Sequence, residues 1–106
     1  MPSSPYTLIY DPVMISHLAR IERKYHGFIR QNIEEQLRYG PGVATRNRKP
    51  YGVSMAFGDA WELRFGLANR FRVFYRINDV VRQVRVLGIL VKIGNRLYLG
   101  DEEFKT

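Results

Sequence analysis

From Trp61 onward the chain reads with a period of two, and that pattern leaves little choice of backbone. Trp61, Leu63 and Phe65 alternate with Glu62 and Arg64, and Phe71, Val73, Tyr75 and Ile77 alternate with Arg70, Arg72, Phe74 and Arg76. Alternate side chains of a strand point to opposite faces, so such a segment buries one face and exposes the other. Gly66–Asn69 and Asn78-Asp79 supply turns between these runs. Val81 to Val91 becomes apolar at successive positions, as expected of a central strand covered on both sides. Short links between such runs predict an antiparallel meander over residues 61–92. Gly94-Asn95 offers a further turn into Arg96–Leu99.

The first forty residues carry other periods. Tyr6–Tyr10 is short and β-prone. Asp11-Pro12 is a helix start, because Asp accepts from free backbone N–H groups and Pro fits the first turn. Met14, Leu18, Ile21 and Tyr25 recur at helical spacing and predict a helix from Val13 to about Tyr25. His26-Gly27 reads as punctuation before a second helix, Phe28 to Tyr39, with Ile29, Ile33 and Leu37 in one row and Gly40-Pro41-Gly42 as its stop. Residues 40–59 show no period and read as a loop, extended at most near Val53–Phe57. The fold expected is α+β in one domain spanning 1–106: a strand, an α-hairpin, then a three- to four-stranded antiparallel meander packed by one face on the helices.

Charge narrows the functional classes. The net charge is +7, from 17 Lys and Arg against 10 Asp and Glu. Residues 1–40 hold five basic and four acidic groups, residues 41–100 eleven and three, and the last six residues one and three. The positive field is therefore concentrated on the meander, where it would attract a polyanion or an acidic partner. With no cysteine the chain has no disulfide or thiolate metal site, which fits a reducing compartment. His17 and His26 have no partners at ligand spacing, and no glycine-rich phosphate loop with its Lys and Ser/Thr is present. No metal and no cofactor is expected. Met1 to Tyr6 lacks a basic segment followed by an apolar run, and Leu87–Val91 is too short to cross a bilayer, so the expected location is cytoplasmic, without membrane contact.

If Leu63, Phe71, Val73 and Tyr75 face the helices, then Arg64, Arg70, Arg72 and Arg76 share the opposite face. Arg85 joins them if Gln83 lies against the Arg72 strand. Arg46, Arg48 and Lys49 form a further basic cluster just upstream. Clustered arginines repel one another unless they meet an anion, and the planar guanidinium fork suits phosphate or carboxylate.

The stretches Trp61-Glu62-Leu63-Arg64-Phe65-Gly66, Arg70–Ile77 and Val86-Leu87-Gly88-Ile89, with Lys92 and Gly94-Asn95-Arg96-Leu97, resemble the RelE/ParE superfamily of bacterial type II toxins. Thr45-Arg46-Asn47-Arg48-Lys49-Pro50 before the Trp strand is similar to many RelE-like members, and the strand and helical hairpin agree in order. The resemblance covers nearly the whole chain and implies a RelE-like, microbial-ribonuclease-type fold. It also implies a toxin held inactive by a cognate antitoxin protein. RelE-like members cleave mRNA on the ribosome, inhibiting translation, as metal-independent endoribonucleases (mRNA interferases); ParE-like members bind DNA gyrase.

Carried over residue by residue, Arg72 takes the place of the arginine at the scissile phosphate, and Arg64 that of a basic residue on the preceding strand. Lys92 or Arg96 stands after the last long strand, and Tyr98 where a C-terminal tyrosine helps the ribose 2′-hydroxyl. The implied catalytic set is thus Arg64, Arg72, Lys92, Arg96 and Tyr98. Arg46, Arg48, Lys49, Arg70, Arg76 and Arg85 are candidates for binding RNA. Glu62 departs from the pattern, which has a basic residue there. That departure favours two alternatives: a non-nuclease, ParE-like toxin, or a remnant that only binds antitoxin.

Overall fold

The computed structural model describes residues 4–104. The first three residues of the segment read above as lacking a leader lie outside the described residues. The elements run β1 (Thr7–Tyr10), α1 (Val13–Ala19), α2 (His26–Leu37), β2 (Arg48–Ser54), β3 (Gly58–Phe65), β4 (Phe71–Asn78), β5 (Gln83–Ile93), β6 (Arg96–Leu99) and β7 (Glu102–Glu103). The class is α+β. A curled sheet runs β2-β3-β4-β5-β6-β7 with antiparallel neighbours, and β1 joins it parallel to β5. The sheet has more strands than the sequence pattern predicts. Among the described residues no helix is long and apolar enough to cross a membrane.

The predicted helix over 13–25 is shorter. Asp11 Oδ1 accepts from Val13 N at its start. The backbone breaks at Glu22, which is extended (φ −54°, ψ 134°), and Arg23–Tyr25 form a separate 3-10 turn. Free carbonyls at a helix end need partners. Here His26 supplies them: its Nε2 lies 3.0 Å from Leu18 O and 2.9 Å from Ile21 O, and so donates to both. His26-Gly27 is therefore the first turn of α2 and not the break before it.

The stretch 40–59 is also ordered, contrary to the loop expected. It holds β2 and the start of β3. The period-two signal fails there because the β2–β3 register shifts between Pro50 and Gly52, and each bulge moves following side chains to the other face. Gly52 and Gly58 both take positive φ, 96° and 65°.

Two cores result. On one face Met14, Ile21, Ile29, Ile33 and Leu37 of the helical layer pack on Leu63, Phe65, Phe71, Val73, Tyr75, Val84, Val86 and Ile89. The Tyr75 hydroxyl donates to Pro41 O at 2.8 Å, and burial holds this phenol far above its ordinary pKa. On the other face the sheet curls over itself. Phe57 from the β2–β3 turn and Phe104 after β7 meet over Phe74, with ring centroids 4.8 Å and 5.8 Å from it. Leu87, Leu90 and Ala60 complete this second core. Phe74 therefore does not sit on an open arginine face; it is wholly buried.

Strand β5 organises both cores. One edge pairs with β4 throughout, and the other pairs with β1 over Gln83–Val86 and with β6 over Leu90–Ile93. Between β1 and β6 a gap remains along that edge. His17 of α1 fills it, its Nδ1 accepting from Ile89 N at 3.3 Å. Gly88 is required beside it, since a Cβ there would lie 2.7 Å from the Phe57 ring and 2.9 Å from the His17 ring.

Only neutral imidazole can accept at Nδ1. Burial lowers the His17 pKa below 6.5, with the charge of Asp11 opposing. The unfolded chain therefore binds the proton more readily, and stability falls as pH drops below the unfolded value of 6.5. Urea titrations are expected to show this loss setting in as pH falls below 6.5. His17→Asn, whose side-chain oxygen can accept the same bond without titrating, is expected to flatten it. Equal slopes in both proteins would show that His17 does not carry the effect.

Candidate nucleic-acid interface

Arg64 and Arg72 are direct cross-strand partners in the β3–β4 register, which puts their backbones about 5 Å apart. Like charges in that position are destabilising. The structure answers with Glu62, two residues before Arg64 on the same face. Its carboxylate is 1% exposed. Oε1 accepts from Arg64 Nε at 2.8 Å, whereas Oε2 lies 4.0 Å from Arg72 Nη1. Among the described residues Glu62 Oε2 and Arg72 Nε have no hydrogen-bond partner. The two arginine side chains keep 29% and 16% exposure, so their outer edges reach solvent.

Neighbouring strands frame this triad. Lys49 is exposed on β2, directly opposite Glu62. Leu90 of β5 is opposite Arg72, and strand parity puts Lys92 on the same side, next to it. Tyr51 was not singled out by the sequence, because it lies in the stretch without a period. Its ring stands edge-on to Phe74 at 4.7 Å. Its phenol pKa is raised, first by burial and then by the Glu62 charge, while Arg72 and Arg64 pull it down. The hydroxyl thus lies within electrostatic reach of the triad. The one cue available in the sequence was an aromatic residue two positions after the basic cluster Arg46–Lys49.

The other candidates scatter. Tyr98 pairs with Val91, which packs against the helix-side core, and stands with His17, Arg20, Ile21 and Asp101 around a small cavity. Arg96 is on the same side, 3.6 Å from Glu103. Arg64, Arg72 and Lys92 therefore share one face, and Arg96 and Tyr98 project from the other; the five do not converge.

Arg70 also leaves the face expected for it. Its backbone is helical (φ −58°, ψ −36°), which breaks the strand alternation. Its guanidinium lies over the Tyr25 ring at 4.7 Å and donates to Tyr25 Oη at 3.0 Å. Arg48, in register with Leu63, donates to the carbonyls of Gln36 and Tyr39 and closes the end of α2. Arg46 is exposed in the turn before β2.

Arg76 and Arg85 are direct partners on β4 and β5, but Arg76 donates to the carbonyls of Asp59 and Phe57. Four residues of strand, about 13 Å, separate Arg76 from Arg72. The buried Phe74 lies between them. The basic face is thus two patches, and the one around Glu62 is the more pre-organised. Among the described residues no group of His, Cys, Asp or Glu could hold a metal ion.

Arginine stays protonated, so this patch can bind and neutralise an anion but cannot itself take a proton. Glu62 is buried beside the guanidinium groups, where it holds Arg64 by a hydrogen bond and faces Arg72 at 4.0 Å. Removing one partner of a buried ionic set leaves the others uncompensated. Glu62→Ala is expected to lower the unfolding free energy by about 3 kcal/mol in denaturant titration, against under about 1 kcal/mol for Lys49→Ala. Similar small losses in both would mean that the triad is not held by its carboxylate. Compared with models of protein families, with curated proteins and with solved structures, the chain matches none.

Proposed function

We propose that this chain is the toxin of a type II toxin–antitoxin system, with a RelE-like fold, and that it cleaves mRNA held on the ribosome. The observation that carries the reading is the Arg64–Arg72 pair. The two arginines are direct partners on adjacent strands, and one carboxylate accepts a hydrogen bond from only one of them. Such a site costs stability unless it meets an anion. A phosphodiester supplies one, and the excess of basic groups in residues 41–100 would steer a nucleic acid toward it. The order of strand, helical pair and antiparallel sheet agrees with the resemblance.

In this reading the ribose 2′-hydroxyl attacks the adjacent phosphorus. The oxygen–phosphorus bond to the next nucleotide breaks, leaving a cyclic phosphate and a free 5′-hydroxyl. Arg72 stabilises the charge that develops on the phosphate oxygens, with Arg64 beside it. Lys92 is the one member of the remaining catalytic set on the same face. The transesterification needs neither metal nor organic cofactor. The ribosome supplies the positioning, which accounts for a large share of the barrier in reactions of this kind. The expected partners are the ribosome with its mRNA and a cognate antitoxin, in the cytoplasm.

A second reading keeps the fold without the cleavage: a ParE-like toxin that binds DNA gyrase, or a remnant that binds antitoxin only. The separation of Tyr98 and Arg96 from Arg64 and Arg72 favours it, since no proton-transferring side chain from that pair reaches the arginine face. Expression without antitoxin, with mapping of mRNA 5′ ends on ribosomes, distinguishes the readings. Codon-phased cuts that disappear in Arg72→Ala are expected. Growth arrest with DNA damage and intact mRNA would contradict cleavage and favour gyrase, and absence of arrest would favour the remnant.

A further inference from the structure

Glu62 treats its two arginines unequally. It takes a full hydrogen bond from Arg64 Nε at 2.8 Å, but Arg72 Nη1 stands at 4.0 Å, and among the described residues neither Glu62 Oε2 nor Arg72 Nε finds another partner. Arg64 is therefore committed to the carboxylate, and Arg72 is the uncommitted cation. The triad carries two positive charges and one negative, a surplus of one. Lys49, exposed opposite Glu62, and Lys92, on the same face beside Leu90, add further positive charge that every variant of Glu62 or Arg64 shares.

We propose that Glu62 is a specificity-determining residue that matches this face to the singly charged phosphodiester inside an RNA strand, against the doubly charged phosphate at a strand end. The inference rests on the RNA reading above and deepens it. An internal phosphodiester carries one negative charge, whereas a terminal phosphate carries about −1.5 to −2 at neutral pH. The carboxylate lowers the positive charge of this face by one unit, which costs the doubly charged end more than the singly charged link in a partly desolvated site. Without the carboxylate, Arg64 is released and the surplus becomes two. The site would then favour the terminal phosphate, which can accept from both guanidinium groups. A buried glutamate in a basic face would on this view disfavour strand ends that carry an open terminal phosphate and keep Arg72 for intact strand.

The test uses the full chain and a fluorescent single-stranded RNA with 2′-O-methyl riboses, which lack the attacking hydroxyl. Binding is followed by anisotropy across a salt series, with and without a phosphate at the 3′ end. The unmodified chain is expected to prefer the phosphorylated strand by less than about twofold. In Glu62→Gln, which keeps the shape and loses the charge, that preference is expected to rise to about tenfold. Its salt slope is expected to steepen by about 0.7, as for one more phosphate neutralised on a single strand. Glu62→Gln combined with Arg64→Gln restores a surplus of one and is expected to return both readouts to those of the unmodified chain. The combination also supplies the comparison if Glu62→Gln alone folds poorly: a double variant with raised terminal-phosphate preference would overturn the proposal. So would a folded Glu62→Gln with unchanged preference and slope, since a purely structural carboxylate would alter melting alone. If the unmodified chain binds neither strand at any salt, the RNA reading itself fails and the proposal falls with it. RNA binding without the Glu62 effect removes the proposal only.

Discussion

Strand β5 is the constraint on which the rest of the structure depends. Four elements meet on it: β4 along one edge, β1 and β6 end to end along the other, and α1 across the gap between them. A strand shared this way cannot slip, because a shift by one residue would move its apolar side chains away from both cores at once. The bulge opposite Phe74 and Tyr75 and the absence of a side chain at Gly88 are the local adjustments that let Phe57 and His17 close on it. The register of β4 is fixed by β5, and through β4 that of β3. Hence the Arg64–Arg72 pairing is a consequence of the core and not of the charges themselves.

With that pairing imposed, Glu62 becomes intelligible. Two arginines fixed opposite each other at the centre of a sheet would repel at short range, and a carboxylate on the same face relieves the strain. It does so at a cost, since a buried ionic set is no more stable than apolar residues of the same shape. It leaves a net positive charge on the triad. The aromatic cover of Phe57, Phe74, Phe104 and Tyr51 limits where that charge is accessible. A ligand can approach from the side of Lys49 and Lys92, at the open end of the face.

The sequence announced β3 and β4 by their alternation, β5 by its run of successive apolar residues, and both helices because apolar residues recur at helical spacing. It hid β2, because a bulge at Pro50 to Gly52 cancels the period within a seven-residue strand. It misplaced the break between the helices, because His26 and Gly27 look like a turn while the carbonyl contacts that make His26 a cap are tertiary. The alternation also assigned Arg70 to the wrong face, since a single helical residue at the strand's start undoes the parity. The pairing of Arg64 with Arg72 followed from strand order, but Glu62 read only as a departure from a family pattern. Its role is visible once Oε1 and Oε2 are seen between two guanidinium groups. Nothing local in residues 92–98 could show that Lys92 and Tyr98 emerge on opposite sides, because that depends on how β6 turns back along β5.

The central claim is that the face bearing Glu62, and not the helix-covered face, receives a nucleic acid. Arginine side-chain Nε–Hε resonances, followed by NMR while the folded chain is titrated with single-stranded RNA, test it most directly. Shifts of Arg72 and Arg64 with Arg96 and Arg20 unmoved are the expected result. Shifts confined to Arg96 and Arg20, with Arg72 and Arg64 silent, would contradict it.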